Sequence, residues 1–134
     1  NELVFSTLIH QQAWASRSVP LGPGSIIYPG TTITHGSIVA DFVVINMNCA
    51  LGHHTSTRGY SSLAPGVNTG GHTTVGKADE LRIGASTLQD VRIGVDSIVG
   101  GQSMVTKNVQ ANTTVIGVPA KPIANYANAS TRNY

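Results

Sequence analysis

His53 and His54 are the one adjacent pair of histidines in the chain, and they close the run from Asn46 to His54. Imidazole gains and loses a proton near neutral pH, so an accessible histidine is a candidate general base. Five histidines occur in 134 residues, and four of them obey one arithmetic. His35 and His53 are eighteen residues apart, in a series that continues to Gly71, Gln89 and Lys107. His54 and His72 are also eighteen apart, with Asp90 next in line. Any repeat that superimposes residues eighteen apart therefore gathers His35, His53, His54 and His72 on one edge. With only 10% of residues charged, that clustering is the strongest local sign of a site. The plainer reading of each histidine is a surface side chain making a single hydrogen bond. Cys49 reads as core filler and Trp14 as packing near the N-terminal end.

The element that positions these side chains is a six-residue rhythm. From Leu21 through Ile27, Ile33, Val39, Ile45, Leu51 and onward to Val105, every sixth residue is aliphatic or threonine. Four places after each stands a small residue, as at Ser25, Thr31, Ser37, Cys49 and Ser61, with Asp79 the exception. Neither a helix nor an isolated strand gives this period, whereas a hexapeptide repeat of a parallel β-helix does. Three hexapeptides close a coil of eighteen residues, and coils stack at strand spacing, roughly 4.8 Å. The reading is an all-β parallel β-helix of about five to six coils, one domain over 1–134, with coils at 9–106 and a C-terminal loop and tail at 107–134. The N-terminal segment and that tail, either a short helix or disordered, are expected to cap the exposed end coils.

Composition narrows the function. A formal charge of +2 is too weak a field to imply nucleic acid or an anionic membrane as partner. So little charge is expected of a chain much of whose surface is covered by other subunits or by tightly stacked backbone. One cysteine forms no internal disulfide, which fits a reducing compartment. No apolar run reaches membrane-spanning length, and the opening residues lack the basic start and long apolar stretch of a signal peptide. The chain begins with Asn1, as expected of a fragment or a processed product.

Several local motifs stand on this repeat: Ile45 with Asn46, His53 seven residues later, Leu63 to Gly66, Gly70 with Gly71, Val99 to Gly101, and Gly117 to Lys121. Together they resemble the hexapeptide-repeat acetyltransferases that act on sialic acid or on a UDP-4-amino-sugar. The similarity runs from Ile9 to Lys121, and the Asn46–His53 spacing with the closing Gly117 to Lys121 is its most specific part. The resemblance implies a left-handed β-helix, a homotrimer and a cytoplasmic enzyme transferring acetyl from acetyl-CoA directly to a sugar hydroxyl or amine. It implies His53 as general base, with His54 beside it, and Gly71 as backbone donor to the thioester carbonyl. Asn46 and His35 are then expected near the acceptor. His72, Gly101, Lys107, Val118, Pro119 and Lys121 are expected along the coenzyme A channel, which the family places between two subunits. No metal is expected.

Three departures accompany the resemblance. The family usually has an acidic residue directly after the base, where this chain has His54. It often has a histidine nine residues beyond the base, where this chain has Ser62. Its members generally carry an N-terminal Rossmann-like domain for the nucleotide-sugar, whereas the matching residues here begin at the β-helix. Either that domain was removed, or the β-helix stands alone with a different acceptor. A non-catalytic trimeric scaffold or binding module is the alternative reading. A metal-dependent hydratase like the hexapeptide-repeat carbonic anhydrases is a further one, although their His-x4-His ligand spacing is absent.

Overall fold

The computed structural model describes residues 3–123, so the tail expected over 124–134 lies outside the described residues. Seventeen strands, fifteen of them two residues long, wind into three sheets, and no helix occurs among the described residues. Three flat faces surround one interior. The first face runs from Leu8–Ile9 to Thr114–Gly117, and Ala120–Pro122 closes it antiparallel. The second runs from Trp14–Ala15 to Met104–Val105, six strands for six coils. The third contains Ile38–Val39, Ser56–Thr57 and Thr74–Val75, extended by bridges from Leu21 to Val39 and from Thr74 to Arg92.

The register follows from the hexapeptide. Ile27 pairs with Ile45, Ile33 with Leu51 and Val39 with Thr57, each partner eighteen residues on. In every strand of these coils the second residue points inward. Ile27, Ile33, Val39, Ile45, Leu51 and Leu63 are accordingly almost fully buried, in one continuous core. The small residues fill the corners: Ser25 and Thr31 are buried there and donate to Ala40 and Asn46 carbonyls of the next coil. Cys49 is buried in the same way, its Sγ 3.2 Å from the Ala64 carbonyl, and burial pushes its thiol up, away from the reactive thiolate. Ile9 stays half exposed because it belongs to the open end coil, which has a neighbour on one side alone.

The coils do not stop at 106. Ile93 bridges Val109 and Val99 pairs with Val115, sixteen residues on rather than eighteen. The corner occupied by residues 88–91 in the preceding coil is reduced to Thr106 and Lys107, and this two-residue deletion breaks the six-residue count while the winding continues. Much of the stretch read as an overlying loop is therefore coil, with Val109 and Val115 buried. Only from Gly117 does the chain turn back as a hairpin. No helix is long and apolar enough to cross a membrane among the described residues.

Candidate active site at a histidine corner

From Gly24 to Gln102 each corner turns by placing one residue in the left-handed region. At the corner between the second and third faces these are Gly36, His54, His72 and Asp90, with φ of 71°, 58°, 57° and 61°. Phe42, Tyr60, Asn48 and Gln102 take the same conformation at the other corners. The unusual backbone of His54 and His72 thus belongs to the β-helix in general and is not by itself a mark of function. What singles out this corner is the side chains that it carries.

Four imidazoles meet there. His35 and His53 stack with centroids 5.7 Å apart, and His54 and His72 stack at 4.8 Å. The two stacks meet edge-on, His53 lying 5.4 Å from His54 and 5.0 Å from His72. His53 Nδ1 and His54 Nδ1 are 3.1 Å apart, so one ring donates to the other. All four are exposed. Solvent lost against its neighbours, then the charge of His72, His35 and His53, hold the His54 imidazole below the ordinary histidine range.

His53 Nε2 is turned toward Gly71. A Cβ at Gly71 would lie 2.6 Å from that nitrogen, so the glycine makes the space in which the ring sits. The Gly71 carbonyl accepts from Asp90 N–H, while no hydrogen bond from the Gly71 N–H occurs among the described residues. Beneath the corner lies a hydroxyl network that sequence reasoning missed. Thr73 Oγ1 lies 2.8 Å from both the Gly70 carbonyl and Thr87 Oγ1, and Gly70 N–H donates to Thr87 Oγ1 at 3.1 Å. Thr55 and Thr69 repeat the pairing one coil earlier at 2.9 Å. The signal was the replacement of aliphatics by threonine at 69 and 87, on the inward positions leading into this corner.

The other expected site residues divide into two groups. Lys107 sits on the histidine corner three coils beyond His53, a rise of roughly 14 Å at strand spacing. Lys107, Pro119 and Lys121 come together around a cleft of about 250 Å³ that Gln110 and Ala120 also line. Val118 stands exposed in the adjoining hairpin turn, preceding a cis proline. Asn46 and Gly101, in contrast, lie on the corner between the first and second faces, so the chain by itself does not bring them to His53. Asn46 Oδ1 accepts Met47 N–H at 2.8 Å. A metal, which the sequence did not call for, finds three ligands in range. One ring nitrogen each from His53, His54 and His72 lies within 4.8 Å of the others.

No family model matches the chain. Among curated proteins it is similar to the serine acetyltransferase of Buchnera aphidicola (subsp. Schizaphis graminum). The two are 31% identical over 117 residues, 84% of this chain and 43% of that protein. Among solved structures it superposes on a mutant of perosamine N-acetyltransferase from Caulobacter crescentus, held in complex with CoA and GDP-perosamine. That match has a TM-score of 0.90 at 30% identity and covers 91% of this chain and 58% of that one. The chain belongs to the hexapeptide-repeat acetyltransferase family. The acetyltransferase domain of PglB from Neisseria gonorrhoeae, in complex with acetyl coenzyme A, agrees, with a TM-score of 0.87 at 26% identity over 90% of this chain and 58% of that one.

As a member of this family the solenoid is a left-handed parallel β-helix. The chain spans about two-fifths of the length of the curated relative and 58% of each solved chain.

Proposed function

We propose that this β-helix transfers acetyl from acetyl-CoA to a sugar amine or hydroxyl, with His53 Nε2 as general base. The observation that carries the reading is His53 itself, tied at Nδ1 to His54 and open at Nε2 beside Gly71. When His53 is the donor in that Nδ1–Nδ1 bond, its lone pair resides on Nε2, the tautomer a base requires. The acceptor's N or O attacks the thioester carbon while its proton passes to Nε2. The Gly71 N–H donates to the developing oxyanion. The C–S bond then breaks, and the imidazolium returns the proton to the coenzyme thiolate. No acyl-enzyme is needed, because both substrates react while held side by side.

The cations support the same direction. Lys107 and Lys121 at their cleft are suited to coenzyme phosphates, with Pro119 and Val118 as apolar wall. The three coils between Lys107 and His53 are then the path of the pantetheine arm, passing His72 on the same corner. The amino-sugar complex of the Caulobacter relative favours a sugar amine as acceptor. His35, stacked on His53, is suited to touch that acceptor. Because Asn46 lies one corner away, an acceptor that touches both Asn46 and His53 lies between two chains. This is the reason to place the reaction in a homotrimer, in the cytoplasm where acetyl-CoA is available.

The test is acetyl transfer from acetyl-CoA, screened over nucleotide-linked amino sugars with serine alongside. His53→Ala is expected to lower turnover about 10²-fold or more while the β-helix remains folded. Equal turnover in the variant overturns His53 as base. Acetylation of serine alone overturns the sugar acceptor.

A further inference from the structure

We infer that His53, His54 and His72 form a zinc-binding site whose occupation blocks acetyl transfer. The ligand atoms already converge, one ring nitrogen of each within 4.8 Å of the others, on one chain and one corner. The 3.1 Å between the Nδ1 atoms of His53 and His54 is close to the separation of two nitrogens bound to one tetrahedral ion at about 2.0–2.1 Å. His72 completes three imidazoles, the donor set preferred by Zn2+, Cu2+, Ni2+ and Co2+ over Mg2+ or Ca2+, and a water can take the fourth position. The rings are exposed, so small rotations about their side-chain bonds are open to them. The His54–His72 stack holds two of them in parallel before any ion arrives.

One proton must move for this to occur. In the Nδ1–Nδ1 hydrogen bond one of the two rings carries its proton on Nδ1, and coordination through both Nδ1 atoms shifts that proton to Nε2 of the same ring. No net proton is released, and no redox step is involved. A His53 ring bound in this way has Nδ1 on the metal and a proton on Nε2, leaving it no lone pair for the acceptor's proton. The inhibitory half of the inference rests on His53 as base; the binding half does not.

Tag-free protein, stripped with EDTA and dialysed, is titrated calorimetrically with ZnCl2, and Co2+ is added in parallel for its tetrahedral absorption bands. One ion per chain is expected. His54→Asn and His72→Asn are each expected to weaken binding about tenfold or more, while His10→Asn, on a different corner, binds as the parent does. Asparagine is chosen because it tolerates the left-handed backbone of these positions, as Asn48 does. Circular dichroism melts verify that each variant is folded. Absence of saturable binding, or binding of undiminished strength in both cluster variants, overturns the site whatever the transfer assay shows. Saturation at one ion per chain with undiminished acetyl transfer overturns the inhibition and argues against His53 as base. Inhibition by Zn2+ that EDTA reverses supports both.

Discussion

Gly71 lacks a side chain where one would occupy the space that the His53 ring needs. All three of the nearest atoms to a Cβ placed there belong to that ring. The glycine's own backbone is outside the left-handed region, so alanine meets no strain there other than this contact. Gly71→Ala should therefore displace the imidazole and spare the fold. Turnover is expected to fall about 10²-fold, the penalty of moving a reacting group by about an ångström, with the melting curve little changed. Combining it with His53→Ala should add little, because both changes remove the same proposed base from its position. Undiminished turnover in Gly71→Ala would show that the ring position does not matter. His53 and Gly71 were legible in the sequence because residues eighteen apart must stack. The Nδ1 contact with His54 was not, since it depends on ring rotations that no spacing encodes.

At the scale of a coil, Asp79 is the exception among the small corner residues and, among the described residues, the one buried carboxylate. It accepts from Gly76 N–H and, at 2.9 Å, from Ser97 N–H. Burial still outweighs these bonds and pushes its carboxyl from an ordinary 3.8 up to about 6. The folded chain thus holds this proton more tightly than the unfolded one. The stability gained is complete below about pH 4 and is lost as pH rises through 6, a change of about 3 kcal/mol. Stacked neighbours in the same column show a neutral solution. Ser25 accepts from Val43 N–H and donates to the Ala40 carbonyl, and Ser97 does the same with Thr113 and Gln110. Asp79→Ser also frees Gly76 N–H for the Ile93 carbonyl, as Gly94 N–H takes that of Val109. Melting followed from pH 4 to 7.5 should decline for the parent, stay nearly level for Asp79→Ser, and end higher for the variant at pH 7.5. Parallel profiles would locate the pH dependence elsewhere. The sequence marked Asp79 as an exception to the rhythm, but its burial is visible only once the corner is built. The same rhythm hid the last coil, because a counting argument fails at the two-residue deletion before Asn108 while the hydrogen bonds carry on.

Across the whole molecule, the separation of Asn46 from His53 sets a condition on assembly. The two corners flank the second face, the one running from Trp14–Ala15 to Met104–Val105. In a closed threefold arrangement, a corner of one chain meets the other corner of its neighbour when the face between them looks toward the axis. The outward residues of that face include Thr32, Ala50, Asn68 and Ser86, small or uncharged side chains that let three copies approach. Ala50 is exposed on the single chain, so replacing it leaves the core untouched. Ala50→Arg brings three guanidinium groups together at the axis, where like charges shed solvent and repel. The parent should sediment as a trimer and the variant as a folded monomer. Acetyl transfer should be lost with the trimer even though His53, Gly71 and Lys107 are unchanged, because in the proposed reaction each acceptor touches Asn46 of one chain and His53 of the next. A variant that remains trimeric and active would turn a different face to the axis, and an active monomer would remove Asn46 from the reaction.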